Sequence, residues 1–312
     1  MLTVLEVTLP VFALVLCGWI AARRGLIADA AVEGLNTFVF WFALPAMLYR
    51  AVASQPIARI VDARFLAAFL AAGALLYAAT LWTARRRGAS ERTALAFCAT
   101  HGNVGYLGLP LLAQLGDDRR LPGMVMGMMV DICVLIVTSV VLFEFARGGS
   151  ADGVPLARRL RRAIGGLLRT PLILGIVAGF AGSAAGVALP APVESFVRLL
   201  AQAAGPCALF AIGASLGGRA VIVDRTVAGL VAAKLVVPPA LVGAAMWLLG
   251  VDPALAAIGV LTAALPTASN TFILSQRYGV DPRAIGSAIV IGTFAAAATV
   301  SFVIWLFGLR IG

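Results

Sequence analysis

The residues of this chain best suited to handling an anion or a proton lie in two polar interruptions of apolar sequence. The first is Thr100-His101-Gly102-Asn103-Val104-Gly105-Tyr106-Leu107-Gly108-Leu109-Pro110, and the second is Leu265-Pro266-Thr267-Ala268-Ser269-Asn270-Thr271. The amides of Asn103 and Asn270 can donate to a carboxylate, and the hydroxyls of Tyr106, Thr267 and Ser269 add further donors. The competing role for the two Asn is repair of the interrupted backbone. Gly102 and Pro266 are the helix breakers, one by its freedom and the other by its missing N–H. His101 is the single histidine, and histidine is the side chain whose charge changes near neutral pH. Two charged residues also stand inside apolar runs, Asp131 and Lys234. An ionisable residue at membrane depth is a functional hypothesis by default. Asp131 is therefore expected to carry a coupling proton or to be a paired structural acid, and His101 to relay a proton or to hydrogen-bond locally. Lys234 is expected to partner Asp131 or the substrate, or to snorkel.

These groups need elements that hold them in place. The 312 residues are 62% hydrophobic and 12% charged, about half the charge of a soluble protein of this size. Apolar runs of about 20 residues cross a bilayer, and ten such spans are expected. They cover roughly 3–22, 35–54, 63–84, 93–115, 123–145, 169–189, 195–216, 226–249, 254–276 and 284–307. Sixteen arginines fall in the odd-numbered connections and six in the even-numbered ones and the termini. That asymmetry puts the odd connections in the cytoplasm and both termini outside. The net charge of +10 is thus topological, and nucleic acid is not an expected partner. The N-terminal run places Arg23 and Arg24 after its apolar stretch, the reverse of a signal peptide. The four cysteines all fall inside spans, so no disulfide framework is implied.

The longest polar stretch, residues 147–166, divides the chain into a first five-span repeat (1–146), a basic cytoplasmic loop (147–166) and a second five-span repeat (167–312). Shifted by 161 residues, Glu33 meets Glu194, Pro45 meets Pro206, Leu48 meets Leu209 and Ser54 meets Ser215. The two interruptions fall opposite each other with a nearly equal offset. Five spans per copy force the second copy to enter the membrane upside down. The expected fold is an all-α integral membrane protein with ten transmembrane helices, a 5+5 inverted repeat in which broken spans four and nine cross. Breaks at membrane depth survive only where they are buried in protein or line a polar cavity, and a matched pair points to a transporter's substrate site. Half-helix N-termini there would favour an anion, and C-termini a cation. No nucleotide loop, zinc spacing or nucleophile elbow is present. No enzyme, metal site or cofactor is expected, and the ions to weigh are a coupling proton or Na⁺.

The stretch Gly102-Asn103-Val104-Gly105-Tyr106-Leu107-Gly108-Leu109-Pro110 resembles the fourth span of the auxin efflux carrier family, which includes many bacterial permeases. Leu265-Pro266 with Arg277-Tyr278-Gly279 is similar to the ninth span of that family, Leu35-Asn36-Thr37-Phe38-Val39 to its second, and Leu142-Phe143-Glu144 to the end of its fifth. The resemblance implies a fold like that of the bile-acid sodium symporters, with a scaffold-like and a transport-like part. It also implies a substrate carboxylate near Asn103. Two departures stand out: Gly102 replaces a proline of the plant members, and their long hydrophilic loop is reduced to about twenty residues. The expected function is a secondary transporter of a small organic anion, malate- or auxin-like, in a bacterial inner membrane. The expected binding set is Gly102, Asn103, Tyr106, Pro266, Thr267, Ser269 and Asn270, with Asp131, His101 and Lys234 in coupling. The alternatives are a sodium-coupled symporter of bile-acid type and a membrane sensor. A homodimer is compatible with the sequence.

Overall fold

The computed structural model describes residues 2–54, 61–115, 120–146, 155–186, 189–218, 221–281 and 283–309. Every element among them is helical. In chain order these are α1 (Leu2–Arg23), α2 (Asp29–Ala53), α3 (Ala63–Thr83), α4 (Ala89–Thr100), α5 (Val104–Gln114) and α6 (Leu121–Ala146). They are followed by α7 (Leu156–Leu168), α8 (Pro171–Ala185), α9 (Ala191–Gly217), α10 (Arg225–Leu248), α11 (Pro253–Ala263), α12 (Asn270–Arg277) and α13 (Arg283–Leu306). Among the described residues α2, α3, α6, α9, α10 and α13 are long and apolar enough to cross a membrane, and the bent pair α7–α8 would make a seventh. The polar connection contains more structure than a loop. Its second half is helical, forming most of α7, while residues 147–154 lie outside the described set.

Local chemistry sets the helix ends. Asp62, Asp224 and Asp252 cap α3, α10 and α11 by accepting backbone N–H groups from their first turns. Inside the helices, buried hydroxyls meet the low-dielectric surroundings by bonding back to the carbonyl four residues earlier. Thr100, Thr262 and Thr293 do so at 2.7–2.8 Å. Three helices carry π-helical turns, at Val39–Ala43, Val104–Gly108 and Asp131–Ile136. Such turns recur at functional sites, because they leave backbone groups offset from the regular ladder.

Packing sorts the helices into two groups. In one, α1 lies along α9, and α2 lies along α8 and α9. In the other, α10 packs on α3, α4, α11 and α13, with α4 also against α3 and the C-terminal part of α6. The α1–α9 contact brings backbones together: a Cβ on Gly18 would overlap the Phe210 carbonyl, and one on Gly213 the Val15 carbonyl. The α2–α8 contact repeats the device. A Cβ on Gly175 would come within 2.7 Å of the Pro45 carbonyl oxygen, and one on Gly179 within 3.0 Å of that of Tyr49. Small residues let membrane helices approach this closely, so that dispersion does the work that hydrophobic exclusion does in water.

Candidate functional site

At the first interruption α4 stops at Thr100, and α5 resumes at Val104 after only three residues. The second interruption spans residues 264–269, between α11 and α12. The two meet as antiparallel extended segments, bridged between Gly102 and Thr267. The Asn103 N–H donates to the Pro266 carbonyl at 2.8 Å, and the Ala268 N–H to the His101 carbonyl at 3.4 Å. Pro266 thus enters as an acceptor as well as a breaker.

An unbroken helix would pair the Gly102 N–H with the Cys98 carbonyl. Here each half of that bond has found another partner. The Gly102 N–H donates to Asp131 Oδ2 at 3.1 Å, and Thr267 Oγ1 donates to the Cys98 carbonyl at 2.8 Å. At the end of α11, Lys234 Nζ donates to the Ala263 carbonyl at 3.0 Å. Buried backbone groups in apolar surroundings have to be paired, and side chains from α6, α10 and the second interruption supply the pairing. Asp131, Lys234 and Thr267 are all 3% exposed or less.

The amides of Asn103 and Asn270 take no part in this repair. Neither side chain makes a hydrogen bond to the protein among the described residues, although the Asn103 carbonyl accepts from the N–H groups of Leu107 and Gly108. Both side chains instead line a cavity of about 540 Å³. Tyr106 and Ser269 line it too, as do His101, Gly102 and Asp131 at its inner end. The N-terminal ends of α5 and α12 both open into this space, and N-terminal N–H groups favour negative charge. The Tyr106 hydroxyl donates to the Asn36 carbonyl at 3.3 Å, which links the crossover to α2.

His101 is buried, stacked on Phe97 at 4.7 Å between ring centroids, and its Nδ1 lies 3.5 Å from Asp131 Oδ2. That Nδ1 has no hydrogen-bond partner among the described residues. Gly102, Asp131 and Lys234 also line a second, smaller cavity among α3, α6, α10 and α11. Gly102 therefore separates two internal spaces. A Cβ there would meet only ordinary contacts, at 3.6 Å.

The expected site residues divide accordingly. Gly102, Asn103, Tyr106, Ser269 and Asn270 come together around the large cavity, joined by His101 and Asp131. Pro266 and Thr267, expected in the same binding set, line neither cavity. Thr267 is turned toward Cys98 because the orphaned carbonyl needs its proton. Lys234 does not snorkel; it is 2% exposed and reaches a helix C-terminus. Gly108 has a packing role, since a Cβ there would press on the Met124 sulfur at 3.1 Å.

The cavity also contains residues that were not expected as site residues. Asn36 and Thr37 from α2 and Ser215 from α9 supply polar groups, and Phe40 and Trp41 from the first π-turn supply aromatic wall. Asn36 Nδ2 donates to Ser215 Oγ at 3.2 Å. The available signal was the Asn36-Thr37 pair itself, polar in an apolar span. The exposed carboxylates Asp29 and Glu33 stand where α2 begins and the cavity opens. At the opposite end of the α2–α9 pair, Arg50 bonds Glu194 at 3.1 Å.

Interrupted apolar helices meeting at a polar cavity define a class, that of membrane transport proteins. The sequence agrees: the model of the family described as membrane transport protein matches residues 3–155 and 156–304, and the chain belongs to that family. It is 33% identical over 311 residues to a putative malonate transporter of Rhizobium meliloti (strain 1021), covering 96% of this chain and 94% of that protein. It is 23% identical to the uncharacterized transporter YfdV of Escherichia coli (strain K12), over 97% of this chain and 96% of that one. A probable auxin efflux carrier component of rice, 1b, is 26% identical over 137 residues, 42% of this chain and 25% of the rice protein. The auxin efflux carrier resemblance therefore holds, and the names of these relatives denote transporters rather than enzymes.

Proposed function

We propose that the chain carries a small organic anion across a bacterial inner membrane by alternating access around the crossover of its two broken helices. The observation that carries this is the convergence of two helix N-termini and two uncommitted Asn amides on one cavity. Asn103, Asn270, Ser269 and Tyr106 would hold the anion against Gly102. Two N-termini suit two carboxylates, and the similarity to a putative malonate transporter makes a short dicarboxylate the first substrate to test. An anion leaving the cytoplasm gains about 2.3 kcal/mol per 100 mV of membrane potential, enough to drive export without a coupled ion. Asp131 and His101, 3.5 Å apart at the inner end of the cavity, are the groups through which a proton would couple.

The architecture we infer is ten spans in two inverted five-span repeats, with residues 147–166 between them and both termini outside. Repeated contacts support it. Gly18 meets Phe210 and Gly179 meets Tyr49, and both members of the second contact lie 161 residues from their counterparts in the first. The capping residues Asp62 and Asp224 are separated by nearly the same interval. With the odd connections cytoplasmic, the large cavity opens inward, and Arg50–Glu194 lies on the outer side.

The test is uptake of labelled malonate, malate and indole-3-acetate into proteoliposomes under an imposed potential or pH gradient. Wild type should show saturable uptake of at least one acid. Asn103→Ala and Asn270→Ala should lower it strongly at unchanged thermal stability, because neither amide bonds the protein among the described residues. Full transport by both variants would refute the crossover as the anion site.

A further inference from the structure

The small cavity behind Gly102 has an arrangement that anion binding does not require. Three oxygen-bearing groups face it: the Asp131 carboxylate and the carbonyls of Thr262 and Ala263, at the C-terminal end of α11. Asp131 Oδ2, the Thr262 carbonyl oxygen and Lys234 Nζ all lie 3.6 Å from the point a Cβ on Gly102 would occupy. The Ala263 carbonyl accepts directly from Nζ. A carboxylate and the negative end of a helix converging in a small, apolar-walled space form a niche for a cation. The only positive group that the structure brings to it, among the described residues, is the tethered ammonium of Lys234.

We propose that Lys234 is the resident cation of the crossover, a covalently attached ammonium in a niche whose oxygen ligands would otherwise recruit a free monovalent cation. This rests on the crossover being the transport site, and it adds that the site needs no exchangeable metal ion. The physical argument is one of compensation. Asp131 is fixed by the Gly102 N–H, and the Ala263 carbonyl at the end of α11, which has no backbone donor among the described residues, takes its proton from Lys234. Nearly all of the Lys234 side chain is buried. A charge at this depth persists only when it is paired, and each of these groups supplies what the others lack. Its stem comes from α10, while the oxygens come from α6 and α11. The ammonium therefore bonds α10 to α11 and sets its charge near the α6 carboxylate at the wall that the substrate cavity shares.

The test is thermal unfolding of the purified full-length protein in choline, sodium and methylammonium chloride at equal ionic strength. Wild type should unfold at the same temperature in all three. Lys234→Ala should unfold several degrees lower in choline and recover saturably with methylammonium, whose NH₃⁺ group fits the vacated position, or with sodium. Lys234→Arg, which keeps a tethered cation, should remain indifferent to the salt. If Lys234→Ala fails to fold in choline, its yield when purified in methylammonium gives the same readout. Specific stabilisation of wild type by sodium would overturn the proposal, as would a Lys234→Ala variant that no cation restores or that matches wild type in choline. These measurements need no substrate. Failure of every acid in the uptake assay would remove the anion reading and leave the cation niche standing or falling by itself.

Discussion

Replacing Thr267 by Val exchanges one oxygen for a methyl at almost constant volume, and so removes the hydrogen bond that the first break depends on, together with a weak contact to Cys98 Sγ at 3.8 Å. Thr267 Oγ1 donates to the Cys98 carbonyl at 2.8 Å, and both residues are buried. The normal helical partner of that carbonyl, the Gly102 N–H, is held by Asp131, so Val leaves the oxygen with nothing. An unsatisfied buried carbonyl costs about 1–3 kcal/mol. Side-chain hydrogen bonds between membrane helices average about 0.6 kcal/mol, because the unfolded chain in the membrane finds partners too. A loss of about 1 kcal/mol, between those two figures, is the expected outcome. Thr271 supplies the control. It lies four residues further on and is fully buried, and its hydroxyl has no hydrogen-bond partner among the described residues. Thr271→Val should cost nothing, or stabilise by up to about 1 kcal/mol by removing an unpaired polar group. Reversible unfolding of both variants in mixed micelles gives the two numbers side by side. Equal losses, or a larger loss at Thr271, would refute the pairing of Thr267 with Cys98 and the account of how the break is satisfied.

Other outcomes follow from the close helix contacts and the caps. Gly213→Val should abolish folding or destabilise by at least about 3 kcal/mol, the upper end for overpacking, because its Cβ would overlap the Val15 carbonyl. Gly165→Ala in α7, where a Cβ meets nothing within 4 Å, should stabilise by about 0.5–1 kcal/mol through helix propensity. Both are read from thermal unfolding midpoints. Asp62→Ala and Asp224→Ala each remove the side-chain acceptor of a helix first turn, and each should cost about 1 kcal/mol. The two losses should be alike, since the caps occupy matching places in the proposed repeats. A large difference between them would count against that match.

The membrane character and the two breaks were legible in the sequence because both depend on local composition. Apolar runs of bilayer length, the arginine bias and the Gly102-Asn103 and Pro266 interruptions involve neighbours along the chain. The helical second half of the polar connection was not read, because its alternation of arginine with leucine and isoleucine lies in a stretch dominated by charge and glycine. Three of the expected roles depended on partners that no local pattern supplies. Asp131 reaches back 29 residues to the Gly102 N–H, Lys234 forward 29 residues to the Ala263 carbonyl, and Thr267 back 169 residues to Cys98. By themselves these three side chains were equally good candidates for substrate binding, coupling or repair. The tertiary structure commits Asp131, Lys234 and Thr267 to freed backbone groups. It left the amides of Asn103 and Asn270 uncommitted and turned toward the cavity. The reason is the solvent. In water a broken helix can hydrate its loose ends, but in a bilayer every N–H and C=O must find a protein partner. The amides of Asn103 and Asn270 are left over after that pairing, and both line the cavity.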